Sequence, residues 1–192
     1  MKAITIHQPY ASLIACGAKR FETRARRTHY RRQIAIHAGK TIFVPRDHST
    51  GKAIVDALLF DVPRRTLLPY LDIVGFINWI RGKCERLPHG AMIATAELVE
   101  CWHVDYIYPE YEGEGISRVK VRGYREAVRL VRPAINGRGQ NGIVVRKDET
   151  LLGDYTVGRY AWELANVKQL PQPVPCRGQQ GLWNWEPPSG TL

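Results

Sequence analysis

The sequence predicts an α+β, mainly β fold: a small, partly open β-barrel with one early helix and a helical excursion before its middle strands. Three observations carry this reading. Short segments of β-forming residues, several with apolar and polar positions alternating, recur along the chain; one helical segment lies close to the amino terminus; and helical spacing occupies residues 51–71. A ferredoxin-like α+β sandwich is the competing architecture.

KAITIHQ (2–8) alternates and reads as a strand, after which Pro9 opens a helix, PYASLIAC, that ends at Gly17. RFETRAR (20–26) and RQIAIHAG (32–39) follow as strands, the second with Ile34 and Ile36 on one face and His37 on the other. GKAIVDALLF (51–60) is helical, and a second short helix through RRTLLPYL (64–71) is limited by Pro69. GAMIATAELVECWHV (90–104) is strand, long enough to bend. Residues 105–150 read as the least regular part and as an insertion: acidic and aromatic at YPEYEGEG, then basic where Arg118, Lys120 and Arg122 alternate with valines, then a glycine-rich loop, NGRGQNG, before the strand GIVVRK. YAWELANVKQL and GLWNWEP close the fold, separated by the proline-rich LPQPVPCRGQQ, and Trp102, Trp162, Trp183 and Trp185 read as core or rim aromatics.

With 192 residues, 44% of them hydrophobic, and neither a repeat nor a linker, residues 1–192 read as one domain able to bury a core. The longest apolar run, around 72–80, is far short of the ~20 residues that span a bilayer, and the amino terminus has no leader pattern, so the expected location is cytoplasmic with no membrane partner. Cys16, Cys84, Cys101 and Cys176 lack metal-ligand spacing and read as reduced, mostly buried thiols. The histidines form no ligand motif, so neither metal nor cofactor is expected.

Charge says more about partners. Twenty-eight basic residues face 18 acidic ones, for a net charge of +10, and Lys19, Arg20, Arg24, Arg26, Arg27, Arg31 and Arg32 cluster in one segment opposed only by Glu22. Such a surface attracts polyanions and releases their counterions.

That segment, SLIACGAKRFETR, carries the pattern GxKxxExR through Gly17, Lys19, Glu22 and Arg24. Together with IHQPYASLI, IAIHAGK, GAMIATAELVEC and DYTVGRYAWELANV, in that order, it resembles the bacterial and phage members of the ASCH domain family. The resemblance implies a PUA-like β-barrel whose GxKxxExR motif lines a cleft, with a role in binding RNA or other nucleic acid. Some small relatives of this fold hydrolyse modified cytidine nucleosides, so fold does not decide function.

The residues have their own chemistry. A period of two puts Arg20, Glu22, Arg24 and Arg26 on one strand face, where a carboxylate flanked by cations stays ionised and orients them, either for a ligand or as a structural brace. Gln8 either reads a base edge or caps the turn, Tyr10 either stacks on a base or packs, and His37 is either an acid/base group or a hydrogen-bonded structural residue.

The leading expectation is a nucleic-acid-binding domain, with RNA or single strands favoured over duplex DNA and a nucleotide-like ligand as the smaller version of the same partner. Gln8, Tyr10, Lys19, Arg24, Arg26, Arg27, Arg31 and Arg32 are the candidate contacts. The alternative is a hydrolase acting on a modified nucleoside or RNA, with Lys19 and Glu22 as an acid/base pair. In that comparison Glu22 stands where the related hydrolases carry a hydroxyl residue, and the hydroxyl is displaced to Thr23. No protein partner is indicated.

Overall fold

The computed structural model describes residues 1–42, 87–112, 119–133, 142–150 and 152–190; the helices expected at 51–60 and 64–71 and most of the glycine-rich loop lie outside the described residues. In chain order the elements are β1 (Lys2–Gln8), α1 (Tyr10–Ala15), β2 (Phe21–Arg24), β3 (Gln33–Ile42), β4 (Ala91–Glu112), β5 (Val119–Val131), β6 (Gly142–Arg146), α2 (Lys147–Thr150), β7 (Tyr160–Pro175) and β8 (Leu182–Asn184). The fold is mainly β, with α1 and α2 as the helices among the described residues.

The strands form one sheet in the order β2-β7-β4-β3-β1-β8, with β5 joined to β4 and β6 to β5. Among the described strands only β1 and β3 run parallel, and the chain from Pro9 to Arg32, with α1 and β2, supplies the crossover that parallel neighbours need. Among the described residues the sheet is open, as a partly open barrel would be: its main path ends in β2 and β8, and the branch through β5 ends in β6. At the β2 end, side chains take the place of a further strand: Glu149 accepts the outward N–H of Phe21, and Lys19 donates to its carbonyl.

Period-two patterning explains the layers. Ile4, Ile6, Ile34 and Ile36 pack against Ala11 and Ile14 of α1, while Ala3 and Ala35 lie on the other face with Met92, Trp183 and Trp185. Both faces of β1 and β3 are thus covered, which is why adjacent positions such as Ala3 and Ile4, or Ile34, Ala35 and Ile36, are apolar on both sides of the sheet. α1 stops where Gly17 takes φ +79°, a left-handed turn that costs glycine nothing, with its N–H donated to Ile14. Trp102, Trp162, Trp183 and Trp185 are all buried, and the first three donate their indole N–H groups to Glu163, Arg26 O and Thr5 respectively.

Three sequence expectations change. Among the described residues of 105–150 the chain is regular: β4 continues to Glu112, β5 pairs back on it and β6 on β5, and Val104, Val128, Leu130 and Val145 join Phe21, Trp102 and Tyr155 in a second core. The side chains of Lys120 and Arg122, and Arg118 as a whole, lie outside the described residues. The proline-rich stretch is not a break either, since β7 runs through it to Pro175. There Cys176 donates its N–H to Gly90 beside β4, and Pro171 and Pro173 fall where the β4–β7 register shifts, between Val174 opposite Met92 and Gln169 opposite Ala94, so their missing N–H groups fall outside the regular ladder. Finally, Cys16 is exposed and Cys176 half-buried, leaving Cys101 as the buried thiol among the described cysteines.

His37 lies on the face away from α1. Its Nε2 donates to Cys176 O at 3.1 Å, its ring meets Trp183 edge-on at 5.9 Å, and its Nδ1 is buried without a partner. A Cβ on Gly178 would sit 2.4 Å from the imidazole, so only glycine fits there. Burial holds the His37 pKa below its ordinary value, partly opposed by the bond to Cys176. The unfolded chain therefore takes up this proton first as pH falls, and stability drops from about pH 6.5 down through the folded-state value. Melting temperature should accordingly decline more steeply between pH 7 and 5 for the parent than for His37→Gln; parallel curves would refute the assignment.

Candidate functional site

The motif lies where the end of α1 meets β2. Lys19 donates its backbone N–H to Leu13 O, which ties the turn to α1 and sends the side chain inward. The ammonium is 1% exposed, donates to Phe21 O, lies 5.7 Å from the Tyr10 ring centre and 3.8 Å from Glu22 Oε2. Glu22, 12% exposed, faces Arg24 Nε at 3.0 Å through its other oxygen. Arg24 in turn donates from Nη2 to Thr5 O at 2.7 Å, which ties β2 to β1. The structure therefore brings Lys19, Glu22 and Arg24 together, with one carboxylate between two cations.

Burial pushes the Lys19 ammonium below its ordinary pKa; Glu22 and Glu149 oppose that shift and Arg24 adds to it. The Tyr10 phenol is pushed up to about 12, by burial first and by the Glu22 charge second. At neutral pH Tyr10 is a protonated hydroxyl beside a carboxylate, half-buried, with one edge toward solvent.

Two of the expected contacts are buried. Gln8 is fully buried: its Nε2 donates to Ser12 Oγ at 2.9 Å and Pro88 O at 2.8 Å, and its Oε1 accepts the Ser12 N–H at 3.1 Å. The amide therefore fixes the corner between β1 and α1. Lys19 is likewise buried, with its ammonium turned to Phe21 O and Glu22.

The remaining cations divide. Arg26, Arg27 and Arg32 are exposed. Arg31 is bound by Glu100 at 2.7 Å and donates to Thr28 O and Tyr30 O, both at 2.9 Å. β3 and β5 leave a gap along one edge of β4, and there Arg31 and Arg132 meet Glu100 from opposite ends. Burial pushes Glu100 up, but the Cys101 N–H and the two arginines outweigh it and hold the carboxyl below its usual range. Arg20 and Arg26 also leave the strand face assigned to them, because β2 spans only Phe21–Arg24. Arg20 turns instead to Glu163.

Sequence reasoning missed Glu149. Its carboxylate accepts the N–H groups of Arg20 at 2.9 Å and Phe21 at 3.1 Å, and the Tyr155 hydroxyl approaches at 3.4 Å. Standing 129 residues from Arg20 in a segment read as an insertion, it had no local signal to mark it. Among the described residues no group of three histidine, cysteine or acidic side chains is placed to hold a metal ion, and no helix is long and apolar enough to cross a membrane.

A search of curated proteins finds no match. The family model of the ASCH domain, a family generally linked to RNA binding, matches residues 4–173, from β1 through the motif and the β4–β6 extension to the proline-rich end of β7. The chain belongs to the ASCH domain family.

Proposed function

We propose that the chain binds RNA, single-stranded or locally shaped, across the basic surface that surrounds GxKxxExR. The observation that carries this is the setting of Arg24: held between Glu22 and Thr5 O, 29% exposed, and followed in sequence by the exposed Arg26, Arg27 and Arg32. A guanidinium fixed in this way presents its remaining N–H donors to phosphate or to a base edge with little further ordering. Tyr10 offers an adjacent aromatic face, while Lys19, Glu22 and Gln8 hold the frame. In this reading the chain is one PUA-like domain over 1–192, of the bacterial or phage type, working in the cytoplasm, and 105–150 is an extension of the same sheet.

Affinity for a single-stranded RNA should fall with salt at a log–log slope near −0.7 per phosphate contacted. Arg26→Ala, Arg27→Ala and Arg32→Ala combined should lower both affinity and slope, and Arg31 is spared because its loss would strip Glu100. A triple variant that binds like the parent would reduce these arginines to a solvated face.

A second reading, hydrolysis of a modified nucleoside or RNA, is favoured by one observation: the Lys19 amine, shifted toward neutrality by burial, lies 3.8 Å from a carboxylate. Such a pair can exchange protons with a substrate that reaches it.

A further inference from the structure

We propose that Arg20 and Arg132, on the face of β2–β7–β4 turned away from α1, form a second contact that stacks the bases of a single-stranded nucleic acid. The inference rests on the RNA-binding reading above and assigns it a surface outside GxKxxExR.

Glu100 and Glu163 are directly opposed across the β4–β7 ladder, a like-charge pair that needs cations on both sides. Arg20 reaches Glu163 from the β2 side, and Trp102 donates its indole N–H to the same carboxylate at 2.6 Å. From the end of β5, Arg132 places Nε 3.1 Å from Glu100, which Arg31 also binds. Three arginines thus surround two carboxylates, with Glu149 on the backbone of Arg20 and Phe21 at the β2 border.

Both outer guanidiniums also cap aromatic rings: that of Arg20 is 5.2 Å from the Phe21 ring centre, and that of Arg132 is 5.6 Å from that of Trp102. A carboxylate on one side and a ring beneath hold each group in place, yet the two side chains are 60% and 59% exposed. Arg132 engages Glu100 through Nε, so its terminal amino groups remain for a phosphate. A guanidinium fixed on a ring presents its other face as a platform on which a nucleobase stacks, and stacking tolerates any base. Arg20 directly follows Lys19, so the two surfaces meet at the β2 edge and one strand of nucleic acid can pass from one to the other.

The test uses lysine, which keeps the charge and loses the plane. Binding of a uridine decamer and of an abasic ribose–phosphate decamer is measured against salt for the parent and for Arg20→Lys/Arg132→Lys. The parent should prefer the uridine strand, and the variant should lose about tenfold on that strand alone, with its salt slope unchanged. In the parent the Trp102 indole N–H resonance should shift with the uridine decamer and stay in place with the abasic one, a readout independent of how well the variant folds. A parent that binds while the variant keeps its full preference and the Trp102 signal is unmoved would overturn the second contact and leave a structural clasp or a face for a protein. A parent that binds neither strand overturns the RNA reading itself, and this inference with it.

Discussion

Lys19→Ala will lower stability by about 3 kcal/mol, before any ligand is considered, because it removes one partner of a buried ion pair and opens a cavity. For a chain of this size that is roughly 6–12 °C in melting temperature. The opposing effect is relief from burying an ammonium, visible in the depressed Lys19 pKa. The loss wins because Phe21 O is left without its donor and Glu22 keeps only Arg24. Lys19→Met, which restores volume without charge, should recover the cavity part alone. The pH dependence has a definite sign: from the depressed folded-state pKa up to about 10.5 the unfolded chain holds a proton that the folded chain does not, so stability attributable to Lys19 rises with pH across that window. Lys19→Met should lack that rise. Glu22→Gln then separates the two functions. If the site binds, affinity for single-stranded RNA holds or tightens, since a negative charge beside Arg24 is gone. If the site hydrolyses, turnover vanishes while binding persists, because an amide cannot accept the proton. Should both substitutions lower melting temperature and leave binding and turnover untouched, Lys19 and Glu22 are an ion pair that braces the sheet and nothing more.

Glu149→Gln will cost about 2 kcal/mol and will be felt at Lys19. The carboxylate accepts two successive backbone N–H groups through different oxygens, whereas an amide has one oxygen and places an N–H against the other donor. Glu149 also helps to keep Lys19 protonated. Its neutralisation should therefore move the Lys19 titration to lower pH, read directly from the ε-amine by NMR without ligand. A Lys19 titration that does not move would make Glu149 a cap for the sheet edge with no hold on the motif.

How much of this the sequence discloses depends on the distance over which each contact acts. β1, α1, the Gly17 turn and β3 are legible because periodicity, a helix-opening proline and a left-handed glycine are local signals. Convergence of Lys19, Glu22 and Arg24 is legible for the same reason, since they lie within six residues of one another. The amide of Gln8 is only half legible: Ser12 is four residues on, but Pro88 is 80 away. Arg20 is misplaced because alternation was carried one residue past the start of β2. The β4–β5 hairpin is obscured because its tyrosines, glutamates and Pro109 read as loop, and only the partner strand shows that Val128 and Leu130 share a core with Val104. Glu149 and Glu100 have no sequence signature, because the groups they neutralise come from the other end of the chain or from both sides of a gap in the sheet.

The alternate prolines of β7 have a consequence beyond their own strand. Past the four-residue ladder with β2, this part of β7 is a sheet edge among the described residues. A second molecule adding a strand there would meet Pro171, Pro173 and Pro175, three residues with no amide N–H to donate. Three residues without an amide N–H within five positions make that border a poor template for backbone pairing between copies.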